Sequence, residues 1–177
     1  MSTVLWTDSE RLAILNGARE AFLQAMLDGY VGGEGRKSVK TVSANGVKTI
    51  TFPFGDYEVV DRYCVTSQSN CSAGTTTIFY KKTAVWWMSY GGEYPEAVIP
   101  FLKKALAVAY RQGEFRGGRG PEHYEEPGLV YGNYSVRGVE PGSTTGSSFS
   151  SFQGYEEITG PNGDVLGFHR YFGLALI

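Results

Sequence analysis

Cysteine and histidine, the residues most often used as metal ligands and reactive groups, are scarce in this sequence. Its 177 residues include two cysteines and two histidines. Cys64 and Cys71 lie close together in the chain, but neither His123 nor His169 has a cysteine or another histidine nearby, so a metal site is not expected. Two thiols without a secretory signal ordinarily stay reduced, which favours free thiols over a disulfide at a hairpin tip.

A positive field and long apolar segments are also missing. Lys and Arg number 16 against 18 Asp and Glu, and this balance does not favour nucleic acid as a partner. No segment approaches the roughly 20 apolar residues that span a bilayer, and acidic Asp8 and Glu10 stand near the N-terminus. The sequence therefore predicts a cytoplasmic protein with no signal peptide and no membrane partner.

Glycine and aromatic residues are abundant instead. The chain has 24 glycines and 14% aromatic residues, whereas glycine averages about 7% of protein sequences. No catalytic-triad, metal-ligand or phosphate-loop motif accompanies them, so no cofactor is expected. This composition predicts tight turns, close backbone approaches and amphipathic aromatic surfaces.

One glycine-rich stretch occurs twice. Residues 29–35 read Gly-Tyr-Val-Gly-Gly-Glu-Gly, and residues 113–120 read Gly-Glu-Phe-Arg-Gly-Gly-Arg-Gly. Each copy ends a segment with a helical apolar stripe and precedes aromatic, strand-like sequence, and further matches follow in the same order. We therefore predict a single domain, 1–177, built from two pseudo-symmetric copies that span 7–92 and 93–177.

Apolar periodicity and turn residues predict an α+β fold in which helices pack on an antiparallel sheet. Thr7 and Glu10 form a capping box for a first helix that ends at Gly29, and a second helix begins at Pro95 and runs to about Gln112. The predicted strands lie within Val39–Phe52 (a hairpin around Asn45-Gly46), Tyr57–Val65, Thr75–Tyr80, Ala84–Tyr90, Leu129–Val136, Phe152–Thr159 and Val165–Tyr171. Gly138–Ser151 is predicted to be a loop.

Several short motifs along the chain match one known family. They include Tyr30-Val31-Gly32-Gly33, Val85-Trp86-Trp87-Met88-Ser89-Tyr90-Gly91-Gly92, Arg119-Gly120-Pro121 and Phe152-Gln153-Gly154-Tyr155-Glu156-Glu157-Ile158. On these motifs the chain resembles an uncharacterised bacterial family, a domain of unknown function found alone and C-terminal to helix-turn-helix transcription regulators. The resemblance implies no known activity; by analogy with regulators it implies an effector-sensing module.

His169 and the adjacent Glu156 and Glu157 are the candidates for acid–base chemistry. His169 is expected on the inner sheet face beside Met88, as a ligand contact or as a hydrogen-bonded, half-buried histidine, and the second reading is favoured. Neighbours on a strand point to opposite faces, so the two carboxylates do not form a catalytic acid pair. A hydrolase that uses His169 with one of them is kept as an alternative function.

The Arg116–Gly120 segment and the aromatic residues are the remaining candidates. Arginine and glycine alternate there only once, in an acidic chain, which favours a tight turn over an RNA-binding tract; its amides could also bind an anion. Most aromatic side chains are expected in the core, and some could line a pocket for a planar ligand or a sugar.

These patterns favour a non-catalytic protein that senses or sequesters a small molecule, such as a nucleotide or another planar anion, in a cleft between the two copies. An interaction protein that inhibits a partner through the Gly138–Ser151 loop is a further alternative, and a homodimer or a protein partner is left open. The predicted ligand-binding residues are Tyr30, Gly32, Gly33, Tyr57, Asp61, Tyr63, Trp86, Met88, Tyr90, Arg116, Gly117, Gly118, Tyr131, Asn133, Glu156, His169 and Tyr171.

Overall fold

A computed structural model describes residues 5–32, 37–136 and 148–177. The helices are α1 (Asp8–Met26), which continues into a π-helical turn (Leu27–Val31), and α2 (Ile99–Arg111), which follows a 3-10 turn (Glu96–Val98). The strands are β1 (Val39–Val42), β2 (Lys48–Phe54), β3 (Tyr57–Val65), β4 (Cys71–Tyr80), β5 (Thr83–Glu93), β6 (His123–Glu126), β7 (Leu129–Val136), β8 (Ser151–Thr159) and β9 (Val165–Ala175). The predicted α+β class, with helices and an antiparallel sheet, is confirmed.

The start of α1 follows the predicted capping box, but its end differs from the prediction. Thr7 Oγ1 accepts a hydrogen bond from the Glu10 amide at 3.3 Å, and Glu10 Oε2 accepts one from the Thr7 amide at 2.7 Å. The helix does not stop at Gly29, because the chain widens into the π turn; the left-handed residue is Gly32, with φ 87°. The additional turn carries Tyr30 over the sheet, and π turns of this kind are frequent at functional sites.

All described strands belong to one antiparallel sheet, in the order β1-β2-β3-β4-β5-β9-β8-β7-β6. β5 and β9 pair at its centre, from Trp86 opposite Ala175 to Glu93 opposite Phe168. From this central pair the chain order descends outward on each side, from β5 to β1 and from β9 to β6. The common origin of the two halves stays a prediction.

The sheet registers correspond on the two sides of the centre. One row of paired residues crosses β3, β4 and β5 at Asp61, Thr76 and Met88, and another crosses β7, β8 and β9 at Asn133, Glu156 and His169. Gly74 lies opposite Tyr90, and Gly154 lies opposite Tyr171. A Cβ added at Gly74 would lie 2.6 Å from the Tyr90 hydroxyl, so this glycine makes room for the tyrosine ring.

Both helices cover the same face of the sheet. Phe22 of α1 packs against Trp86 of β5, with ring centroids 5.3 Å apart, and against Tyr110 of α2 at 6.3 Å. On the opposite face Trp87 contacts Phe172, which is 46% exposed. β5 therefore has its helix layer on the Trp86 side alone, although large residues occupy both of its faces. No helix in the described residues is long and apolar enough to cross a membrane.

Candidate functional site

A cavity of about 560 Å³ lies between the helices and the first half of the sheet. Its walls come from the end of α1, the π turn, strands β1 to β5 and α2, and the Gly118-Arg119 turn and His169 close its inner end. Residues from both predicted copies therefore line it. A volume of this size suits a ligand of drug or mononucleotide size.

The predicted ligand-binding residues divide into two groups. Those that line the cavity are Tyr30, Asp61, Tyr63, Met88, Tyr90, Gly118 and His169. Those that do not are Gly32, Tyr57, Trp86, Arg116, Gly117, Tyr131, Asn133, Glu156 and Tyr171. Gly33, and residues 138–147 of the predicted loop, lie outside the described residues.

Two aromatic candidates serve the core instead of the cavity. Trp86 is fully buried, stacks on Phe149 with ring centroids 4.9 Å apart, and donates its Nε1 proton to the Phe149 carbonyl oxygen at 2.8 Å. The Tyr57 hydroxyl donates to the Ile14 carbonyl oxygen at 3.1 Å, which ties β3 to α1. Each polar tip has a protein partner, so neither side chain needs a ligand.

Asp61 brings a buried carboxylate to the cavity wall. It is 8% exposed, and its Oδ1 accepts hydrogen bonds from Thr76 Oγ1 at 2.8 Å and from the Tyr90 hydroxyl at 2.9 Å. Burial raises the pKa of Asp61 above its usual value, although these hydrogen bonds and the Arg119 charge oppose the rise. The hydrogen bonds to Asp61 therefore offset only part of the desolvation of its carboxylate.

Arg119 and Glu156 form a buried ion pair behind the cavity. Arg119 Nη2 donates to Glu156 Oε1, the Tyr131 hydroxyl donates to Oε2 at 2.5 Å, and the Tyr94 hydroxyl donates to Oε1 at 3.3 Å. Burial alone raises the pKa of Glu156, but the Arg119 charge, acting together with the hydrogen bonds from Arg119 and Tyr131, holds this pKa below its usual value. At neutral pH both partners are therefore charged, and the pair has no net charge.

His169 is neutral near pH 7. Burial and the nearby Arg119 charge lower its pKa to about 4, against the opposing effect of Glu156. Arg119 Nη2 lies 3.4 Å from Nδ1, and an arginine can only donate, so Nδ1 accepts and the ring proton is on Nε2. Nε2 then donates to Ser72 Oγ, 3.2 Å away.

Ser72, His169 and Glu156 follow the order of a nucleophile, a base and an acid, but the contacts do not suit that chemistry. Nδ1 of His169 is 3.8 Å from Glu156 Oε1, and it accepts from Arg119 Nη2 instead of donating a proton to the carboxylate. With its proton on Nε2, the imidazole cannot accept the serine proton. Glu157 lies on the opposite sheet face, where it accepts the Tyr155 hydroxyl proton at 2.9 Å.

In the second half of the sheet, protein fills the place that corresponds to the cavity. The Tyr171 hydroxyl donates to Asn133 Oδ1 at 2.6 Å, as Tyr90 donates to Asp61. Asn133 Nδ2 donates to the Arg116 carbonyl oxygen at 3.1 Å and to the Gly120 carbonyl oxygen at 2.8 Å. The Arg116–Gly120 turn therefore lies across β7, and its glycines allow the close packing: a Cβ at Gly117, where φ is 64°, would overlap the Tyr171 ring.

Three lysines surround the outer part of the cavity. Lys40 Nζ donates to the Gly29 carbonyl oxygen at 2.8 Å, Lys48 Nζ lies 5.8 Å from the Tyr63 ring centroid, and Lys103 Nζ lies 5.7 Å from that of Tyr30. None of the three forms an ion pair with a carboxylate of residues 5–32, 37–136 or 148–177. The cavity is therefore lined by three lysines that have no ion-pair partner among these residues, together with the carboxylate of Glu96.

Sequence reasoning missed Arg119, the lysines, Ser72 and Thr76. Arg116 was the predicted anion contact, but it lies at the surface, where it pairs with Glu114 at 2.9 Å and Glu122 at 2.6 Å. Two arginines flank the same pair of glycines, and no pattern in the sequence indicates that the second one turns inward. The described residues contain no group of three or more His, Cys, Asp or Glu side chains that could hold a metal.

The architecture is thus that of an α+β domain with a charged, tyrosine-lined cavity beneath its helices. Residues 67–174, more than half of the chain, match the family model described as Domain of unknown function (DUF5680), and the chain belongs to this family. The resemblance to a family of unknown function is confirmed; its bacterial origin and its association with helix-turn-helix regulators stay expectations. Comparisons with curated proteins and with solved structures gave no match.

Proposed function

We propose that this protein binds a small planar anion of mononucleotide size, without catalysis, and thereby senses or sequesters it. The observation that carries the proposal is a cavity that three lysines and several tyrosines line together, with the side chains of Asp61 and His169 buried in its wall. Lys40 and Lys103 are exposed and Lys48 is half-buried, so an anionic group can reach them without losing all of its water. The three lysines attract negative charge, while the interior takes an uncharged ring.

The tyrosines suit a planar ring. Tyr30, Tyr63 and Tyr90 lie on three separate elements around the cavity, and each offers an aromatic face or edge together with a hydroxyl group. Aromatic contacts contribute about 1–3 kcal/mol per stacked base in nucleic-acid-binding proteins. A ring between such walls, with its anionic substituent at the opening, uses both parts of the cavity at once.

Binding without catalysis is favoured over the hydrolase alternative by the state of His169. Its pKa of about 4 and its proton on Nε2 leave no base for Ser72 at neutral pH. A Ser72→Ala variant checks this: under the binding proposal it changes ligand affinity at most several-fold. Hydrolysis of a nucleotide or ester substrate by wild type that the variant abolishes would support the enzyme instead.

The lysines allow a direct test by isothermal titration calorimetry with 5′-mononucleotides. Lys48→Gln together with Lys103→Gln should weaken binding about 5- to 30-fold, which corresponds to roughly 1–2 kcal/mol for two partly exposed charge contacts. Added salt should weaken wild-type binding in the same direction. Lys82→Gln, in the exposed turn between β4 and β5 and away from the cavity, is the matched control.

Two results would count against the proposal. One is that no mononucleotide produces heat of binding or raises the melting temperature of wild type. The other is that the Lys48→Gln, Lys103→Gln variant binds as tightly as the Lys82→Gln control, because the anion would then lie elsewhere.

A further inference from the structure

Asp61 and Asn133 occupy corresponding places in the sheet but need different hydrogen-bond partners: the amide of Asn133 can donate, whereas the carboxylate of Asp61 can only accept. Asn133 accepts from Tyr171 with its Oδ1 and donates to two backbone carbonyl oxygens with its Nδ2. The Arg116–Gly120 turn thus supplies acceptors to an amide donor. Asp61 accepts from Tyr90 in the same way, but it has no donor of its own.

The acceptor capacity of Asp61 is incompletely used by the described residues. Thr76 donates to Oδ1, and the single Tyr90 hydroxyl proton is shared between Oδ1 at 2.9 Å and Oδ2 at 3.1 Å, so two donors serve the whole carboxylate. No lysine, arginine or histidine of the described chain forms an ion pair with it. A buried carboxylate in this condition lacks donors, and its raised pKa has the same cause.

We propose that the ligand donates an N–H group to Asp61 Oδ2, so that the cavity selects rings whose inner edge carries an amino or lactam N–H. This inference rests on the proposed function and specifies which end of the planar anion enters first. The ring edge reaches Asp61 at the buried side, and the anionic substituent remains with the lysines at the opening. In the second half of the sheet Asn133 donates to backbone carbonyl oxygens of the chain, and in the first half Asp61 accepts from the ligand.

Matched pairs of nucleotides isolate this contact. Adenosine 5′-monophosphate differs from purine riboside 5′-monophosphate by one amino group, and uridine 5′-monophosphate carries an N3–H where its N3-methyl analogue carries a methyl group. Hydrogen bonds to charged groups contribute about 1.5–3 kcal/mol, so wild type should bind the donor-bearing member of at least one pair about 10- to 100-fold more tightly. Calorimetry on all four compounds measures this ratio.

Asp61→Asn should remove or reverse the preference. Its Oδ1 can accept from Thr76 and Tyr90, which places Nδ2 where Oδ2 was, as Asn133 is oriented. The variant then offers a donor, and the member of each pair that lacks the N–H group loses its disadvantage. Asp56→Asn, in the exposed turn between β2 and β3, is the control and should keep the wild-type ratio.

The outcomes separate this inference from the proposed function. If mononucleotides bind and the lysine variant weakens them, but both members of each pair bind equally, the Asp61 contact is wrong and the binding function stands. An unchanged ratio in Asp61→Asn, with a melting temperature no lower than that of wild type, also overturns it. If no mononucleotide binds to wild type, both proposals fail for this class of ligand.

Discussion

Substitution of Glu156 by glutamine tests the buried ion pair, because it keeps the shape of the side chain and removes its charge. Arg119 would remain with 7% of its side chain exposed and without a counter-ion. Removing one partner of a buried pair costs about 3–5 kcal/mol. We therefore expect Glu156→Gln to lower the free energy of unfolding by this amount, or the melting temperature by roughly 10 °C.

Urea denaturation measures the effect, and the neighbouring carboxylate provides the control. Glu157 is half-buried on the opposite sheet face, and Glu157→Gln should cost less than about 1 kcal/mol. The difference between wild type and Glu156→Gln should also shrink in acid. Because Arg119 holds the folded-state pKa of Glu156 below its unfolded value, its stabilisation is present above the unfolded pKa and is lost as pH falls through the folded one.

A double replacement distinguishes the loss of a charge pair from the loss of packing. Arg119→Met with Glu156→Leu removes both charges and should be more stable than Glu156→Gln alone, since no buried charge is left without a partner. The reasoning is refuted if Glu156→Gln costs no more than Glu157→Gln, or if the double variant is less stable than the single one.

Three further predictions concern other parts of the fold. The His169 ring should not titrate between pH 8 and 5 in NMR spectra, and a shift of its resonances near pH 6.5 would contradict this prediction. Its pKa of about 4 lies below the unfolded value of about 6.5, so its contribution to stability decreases as pH falls between those values. Gly154→Ala should destabilise the protein by about 1–3 kcal/mol in denaturation experiments, because the new Cβ would overlap the Tyr171 hydroxyl, and an unchanged midpoint would show that the ring moves freely. Thr7→Ala should lower the free energy of unfolding by about 1 kcal/mol through loss of the capping box, and a loss below a few tenths would show that this helix end does not limit stability.

Local chemistry made several elements predictable from the sequence. The capping box fixed the start of α1, and Asn45-Gly46 marked the first hairpin. These signals involve residues that are adjacent in the chain or one helical turn apart, so a single sequence contains them.

Features that depend on contacts between distant segments were not predictable. The π turn has no periodicity that separates it from an ordinary helix end, and β6, four residues long, is too short and too polar to be recognised. The predicted hairpin ended at Phe52, but β2 continues through Pro53 to Phe54. β1 pairs only as far as Thr51, and beyond it β2 is an edge where proline is tolerated. The cavity itself joins lysines of β1, β2 and α2, which no local pattern connects.

The pairing of β5 with β9 has a consequence for how the chain holds together. Were the backbone cut after Glu93, each fragment would display a long strand with a row of unsatisfied amides and carbonyls, the condition that leads isolated strands to aggregate. Within one polypeptide, each such edge finds its complement at a high effective concentration, before a neighbouring molecule can offer another. The covalent linkage between the fragments thus favours pairing of β5 with β9 within one molecule over pairing between molecules.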